Sequence, residues 1–361
     1  METRLDRLRV WVGLVASLAI VANALALPSN YEDPLEQPAQ IAELQLRAPV
    51  LAITSAGTAL IAVGQRGRIL RSTSTTSPWR QMAVPVSTDL VAVSFPSPNH
   101  GWAVGHDGVV LSSSDGGVSW QRRLDGRIAY QVELSYYKTL AARGDAAGLR
   151  EVRYLMKVAS RAPAWPFLDV WFRNNSDGYL VGAFGTILHT SDGGTSWTPM
   201  TDRADNPKRL HFYAVRGDAD DTYIAGEQGT SLKFDSEKDR FVAVNVPYKG
   251  SFFGVAARGG RVVVYGLNGH AFLSDDRGST WQALDTGTTQ SIVGYAATPH
   301  GDLLFATQGG KIMRLQAKST TISMAGIEAA EEVFGIASTG DGNAVIATST
   351  GPRSVQLSGG S

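Results

Sequence analysis

Short apolar runs, some alternating and some continuous, repeat along the chain from Val50 onward. The clearest unit is Gly178–Trp197, GYLVGAFGTILHTSDGGTSW. It reads as a strand over Tyr179–Val181, a tight turn bracketed by Gly182 and Gly185, and a second strand over Ile187–His189. An acidic turn and a Trp that opens a third strand follow. Glycines at such turns permit the backbone conformations that a two-stranded hairpin needs. The frame recurs at Gly101–Trp120 and Val262–Trp281, and without the acidic turn at Leu60–Ser72 and Thr222–Phe234. Eroded copies lie at Leu303–Leu315 and Ala344–Leu357. A β-rich run precedes each: VLAIT, LVAVSF, FLDVWF, FYAVRG, FFGVAA, IVGYAA and VFGIAS. The first turn position falls on Gly64, Gly105, Gly182, Gly226, Gly266, Thr307 and Thr348, at intervals of 40–44 residues apart from one of 77. A period near 40 with about four short strands per unit predicts a β-propeller, and seven units predict seven blades.

The long interval marks an insertion at Leu124–Phe167 where the pattern turns helical. Tyr130, Leu134, Tyr137 and Ala141 share one stripe, Gly144-Asp145 breaks the run, and Leu149, Val152, Met156 and Ala159 share another. A helical hairpin is expected between blades two and three, with Arg150, Arg153, Lys157 and Arg161 on a neighbouring stripe. The seventh unit ends one strand short, so Ile41–Leu46 is expected to pair onto it and close the ring, which removes two strand edges. Residues 40–361 are thus read as one all-β seven-bladed propeller, and Ser29–Ala39, acidic and Pro-containing, as a linker. Residues 1–28 carry Arg4, Arg7 and Arg9 ahead of an uncharged run from Val10 to Leu27, with small-x-small sites at its end. That is a signal peptide or a retained anchor helix, and both readings place the propeller on the periplasmic side of the inner membrane.

Charge is balanced at 33 basic and 33 acidic residues, so no global attraction to nucleic acid is expected. The insertion alone leans basic, with seven cations against four carboxylates. No cysteine is present, which excludes disulfides, thiolate metal sites and a Cys nucleophile. The six histidines show no metal-ligand spacing, and the G-x-x-G turns join strands instead of opening a helix, so they are not phosphate loops.

Three stretches, Ser113–Trp120, Thr190–Trp197 and Ser274–Trp281, match the Asp-box or BNR repeat, S/T-x-D-x-G-x-S/T-W. With the V-G-x-x-G hairpin upstream, the chain after Val50 resembles the photosystem II stability/assembly factor family. That resemblance implies a seven-bladed propeller that binds a membrane-protein complex. It also implies a bacterial branch associated with exporters of the resistance–nodulation–division superfamily. Asp115, Asp192 and Asp276 with Trp120, Trp197 and Trp281 are expected to be structural, because the box occupies the same turn of each blade and its copies do not converge. Sialidases share the box, so a glycan-binding or glycan-hydrolysing propeller is the alternative from another class. Arg68 and Arg314 are the nearest approach to the arginine clamp such an enzyme needs, with no coherent third.

The expected function is therefore non-catalytic: an exported assembly factor or accessory subunit of an integral membrane complex, with no cofactor, metal or catalytic set. In a propeller the second-to-third strand turns share a face with the blade-to-blade links, and the insertion leaves from such a link. These turns hold different side chains in otherwise repeating frames. The partner is expected to dock on that face through Arg66, His106 and Phe184, with Tyr136, Tyr137, Arg150, Arg153, Tyr154 and Lys157 of the insertion.

Overall fold

The computed structural model describes residues 32–42, 47–161, 164–218, 221–327, 332–340 and 343–358. Seven antiparallel sheets follow one another along the chain. Their innermost strands are Val50–Ala56, Leu90–Ser94, Phe167–Phe172, Phe212–Asp218, Phe252–Arg258, Ile292–Ala297 and Val333–Ser338. Each innermost strand contacts the next and the seventh contacts the first, so the sheets close into the predicted seven-bladed ring. Six blades have four strands; the seventh has three among the described residues.

The core lies between blades. Trp102, Val104 and Val110 of blade two pack with Phe172, Leu180, Leu188 and Trp197 of blade three, and similar clusters recur around the ring. This geometry places the Asp-box Trp residues. Trp120 and Trp197 are buried and Trp281 is half-buried. They pack against the preceding blade as well as their own: Trp197 stands perpendicular to Trp102 with ring centroids 6.1 Å apart. Gly194 has φ 75°, and a Cβ there would lie 2.3 Å from the Trp102 ring, so only glycine fits.

The box carboxylates turn inward on their own loops. Asp192 accepts from Thr190 Oγ1 (2.8 Å), Ser196 N (2.9 Å) and Ser196 Oγ (2.6 Å). Asp115 and Asp276 repeat the arrangement. These donors hold the Asp192 and Asp276 carboxyls down at about 2; at Asp115 burial opposes them and the result is again about 2.

A feature the period did not announce recurs in every blade. The register between the first and second strands slips by one residue, leaving Leu51, Val91, Leu168, Tyr213, Phe253, Val293 and Phe334 as β-bulges. A bulge re-aims its side chain. All seven are half-buried and line the central channel, whose volume is about 210 Å³.

Among the described residues the seventh blade ends one strand short, as expected, and the N-terminal expectations fall partly outside them. Of the strand expected at Ile41–Leu46, residues 43–46 lie outside the described residues. Ile41 and Ala42 are irregular and sit beside blade one, where Ala42 N donates to Gln81 Oε1 (3.3 Å) and Gln81 Nε2 donates to Gln40 O (2.8 Å). Pro34–Ala39, read as linker, packs instead: Leu35 and Ala39 are buried against Val84, Val86 and Leu90. Among the described residues the ring closes by side-chain packing, with Val50, Leu60 and Leu70 against Val345 and Ala347. The signal or anchor expected over residues 1–28 lies outside the described residues.

Candidate partner-docking site

The insertion is a capped helical hairpin. Asp125 accepts the N–H groups of Arg127 (2.9 Å) and Ile128 (3.2 Å), which starts helix α1, Gly126–Ala142. Gly144 turns the chain at φ 81°. Asp145 accepts from Gly148 N (2.7 Å) and starts helix α2, Ala146–Lys157. Tyr130, Tyr137 and Leu155 form the buried seam between the helices.

Packing places the hairpin on the face of the second-to-third turns. A Cβ on Gly108, in the turn of blade two, would meet Gly126 Cα at 2.6 Å. The Trp165 ring lies 4.5 Å from that of Phe184, in the turn of blade three. Three contacts then pin the hairpin to the link at residues 201–209. Tyr137 donates its hydroxyl proton to Asp202 (3.1 Å), and Arg203 donates to the Tyr136 hydroxyl (3.4 Å). Arg209 donates to both Glu151 oxygens (2.7 and 2.6 Å) with its guanidinium carbon 3.6 Å from the centre of the Tyr154 ring.

These pins rotate α2 away from the face its apolar stripe predicts. Glu151 faces inward with Gly148 and Leu155, while Leu149 and Met156 are 40% and 63% exposed. Arg209, supplied from a distant part of the chain, makes the inward Glu151 acceptable; a buried carboxylate without a cation would be costly. Glu133 of α1 is buried beside this pair. Burial, and then repulsion from Glu151, push its carboxyl up to about 8, only partly opposed by Arg209.

A groove of about 820 Å³ runs between α2 and the 201–209 link, lined by Arg150, Tyr154, Phe184, Asp205, Asn206 and Arg240 among others. From it an aromatic track crosses the face. Tyr154 is 5.9 Å from Trp165, Trp165 is 4.5 Å from Phe184, and Phe184 is 4.9 Å from His211. His211 is 6.5 Å from Tyr213 and Tyr213 is 6.0 Å from Phe253, which brings the track into the channel collar. His211 Nδ1 accepts the Phe184 N–H (2.8 Å) and so helps hold Phe184 at φ 55° with its ring partly exposed.

The expected docking residues therefore divide. Phe184, Tyr154 and Arg150 line one groove. Arg153 and Lys157 are exposed on α2 but do not line it. Arg66 and His106 are exposed on their own blade turns, outside the groove. Tyr137 is fully buried and acts as a pin, and half-buried Tyr136 supports Arg203; neither is a surface anchor.

Sequence reading missed an ion pair in the channel wall. Asp169 is buried and accepts from Val170 N (2.9 Å), Val215 N (2.8 Å) and the Arg216 guanidinium. Burial works against the Arg216 charge, but Asp169 outweighs it and holds the guanidinium firmly protonated. The signal was present: the third position of the seven inner runs is Ala or Gly in six and Asp in one.

Arg68 and Arg314, the candidate glycan clamp, are both buried, and Arg68 donates to Pro49 O (2.5 Å). The box carboxylates already accept from their own loops. Among the described residues no group of acidic and histidine side chains is arranged to hold a metal.

The profile of the photosynthesis system II assembly factor YCF48 family matches residues 71–144 and 157–343. The chain belongs to the Ycf48 family. The break in the match, residues 145–156, is almost the whole of α2. Relatives of this chain include photosystem II stability/assembly factor HCF136 of Cyanidioschyzon merolae, 26% identical over 191 residues, 48% of this chain and 42% of that one. Photosystem II assembly lipoprotein Ycf48 of Prochlorococcus marinus is 28% identical over 142 residues, 36% of this chain and 42% of that one. The chain thus spans less than half the length of these relatives. A solved structure of YCF48 bound to a D1 peptide superposes with a TM-score of 0.59 at 14% identity, covering 89% of this chain and 97% of that one. Ycf48-family proteins are assembly factors and not enzymes, which agrees with box carboxylates committed to their own turns.

Proposed function

We propose that this Ycf48-family protein assists assembly of a membrane-protein complex by holding a segment of one integral subunit on its insertion-bearing face. The observation that carries this reading is the continuous aromatic track from the α2 groove to the bulge collar. Half-exposed aromatic rings with Arg150 at one end form the kind of surface on which a few anchors dominate binding. The D1-bound relative supports a protein segment as the ligand. Exposed Arg66, His106, Arg153 and Lys157 extend the surface beyond the groove.

Export to a membrane-facing compartment, with the periplasm as the specific assignment, belongs to this reading. A relative named as a lipoprotein supports membrane association in the family. An exporter of the resistance–nodulation–division type as the assembled complex is the finer form of the proposal, and it rests on the resemblance of the sequence alone.

The test is affinity capture from detergent-solubilised membranes, with mass spectrometry of the eluate. Wild type should retain an integral membrane complex, and its subunits decide between a photosystem and an exporter. Phe184→Glu, and replacement of residues 124–165 by a short linker, should lose that complex while the melting curve keeps a single cooperative transition. Equal retention by both variants would refute the site.

A further inference from the structure

We infer that the outer face of helix α2 is a contact surface for an anionic phospholipid membrane, beside the protein-docking groove and sharing Arg150 with it. The placement of charge carries this. Three of the four carboxylates of the insertion, Asp125, Glu133 and Glu151, are buried, and the fourth, Asp145, is exposed but accepts from Gly148 N at the start of α2. The cations are not withdrawn. Arg150, Arg153 and Lys157 are exposed along α2 and make no ion pair among the described residues. The same face carries Leu149 and Met156, turned outward by the Glu151–Arg209 pair.

A 12-residue helix is too short to span a bilayer. One that shows a basic row beside exposed apolar side chains fits the boundary between headgroups and acyl chains, where cations meet phosphates and apolar side chains enter shallowly. An acidic soluble partner would satisfy the cations and leave Met156 in water. The match to the family profile breaks over residues 145–156, which hold Leu149, Arg150, Arg153 and Met156, and resumes at Lys157. Lying on lipid there, α2 would bring the adjacent groove close to the membrane from which an integral subunit emerges.

The absence of cysteine allows a site-specific test in the full chain. Met156→Cys carries an environment-sensitive fluorophore. Val118→Cys, exposed on a distant Asp-box turn, is the control. With vesicles of equal parts phosphatidylcholine and phosphatidylglycerol, the label at 156 should shift to the blue and the label at 118 should not. Phosphatidylcholine alone should give no shift at 156. Reversing Arg150, Arg153 and Lys157 to Glu should abolish the response, since each cation near such a surface contributes roughly fivefold to binding. High salt should weaken it. No shift at 156 with anionic vesicles, an equal shift at both labels, or a shift indifferent to charge reversal would overturn the inference. No protein partner is present in the assay, so its outcome is independent of the docking proposal.

Discussion

Replacing Glu133 with Gln should make the stability of this protein less dependent on pH, and the structure gives the size of the effect. Glu133 lies between the two inserted helices on the face that carries Tyr130 and Tyr137. The nearby cation, Arg209, has both its hydrogen bonds to carboxylate directed at Glu151. Burial, with Glu151 adding to it, therefore raises the Glu133 carboxyl from 4.5 to about 8. Between those two values the folded protein binds one more proton than the unfolded chain, so stability falls as pH rises. The slope is about 1.4 kcal/mol per pH unit. Accumulated over the whole interval, the loss approaches about 5 kcal/mol, a large share of a typical folding free energy. Gln is isosteric with the protonated carboxyl and has no proton to lose. At pH 5 the variant and wild type should differ by under about 1 kcal/mol, and by pH 9 the variant should be several kcal/mol more stable. Urea melts followed by tryptophan fluorescence at intervals from pH 5 to pH 9 measure this, with the difference between the two proteins cancelling every other titrating group. A constant difference across that range would show that Glu133 is already ionised in the folded state, and would refute the account of the hairpin interior.

The remaining expectations concern the frame. Trp197→Ala should cost about 3–5 kcal/mol because it empties the interface with Trp102 and Phe172; a loss below about 1 kcal/mol in a denaturant melt would show the ring to be peripheral. Asp192→Asn should destabilise at pH 6, and the deficit should close as pH falls toward about 2. A carboxyl depressed from 3.8 to about 2 contributes above the higher value and loses its contribution through the lower. Thermal melts at the two pH values check this, and a deficit that persists in acid would assign the effect to shape. Arg209→Ala should destabilise by about 3–5 kcal/mol by leaving Glu151 buried without its cation, and limited proteolysis should then cut first within the insertion.

What could be read from the sequence follows from how local each interaction is. The blades were legible because each hairpin solves its own problem within some 40 residues: glycines at the turns, a carboxylate satisfied three or four residues on, apolar runs on either side. The outward face of α2 was not legible. Periodicity sorts apolar from polar positions, but the partner that draws Glu151 inward is Arg209, 58 residues away. Tyr137 failed in the same manner: it resembles an interface anchor until Asp202 is placed beside its hydroxyl. Phe184 and Tyr154 were found because turn position and helix position fix where their side chains start. The aromatic track that joins them needed Trp165, His211 and Tyr213, which come from separate segments. A closing strand over Ile41–Leu46 follows from the missing fourth strand of the last blade; residues 43–46 lie outside the described residues, and Gln40 and Ala42 bond Gln81 of blade one.

The bulge that every blade carries at the second residue of its inner strand divides the labour between building the sheet and lining the channel. Its flanking residues are conscripted into the sheets, while the bulged one, relieved of ladder duty, points into the channel. The collar is thus a ring of seven side chains, now Leu, Val, Leu, Tyr, Phe, Val and Phe. Val293 and Phe334 also brace the core between blades, and Tyr213 meets Phe253. The ladder residues fix the blade, and the bulged ones set the lining of the channel.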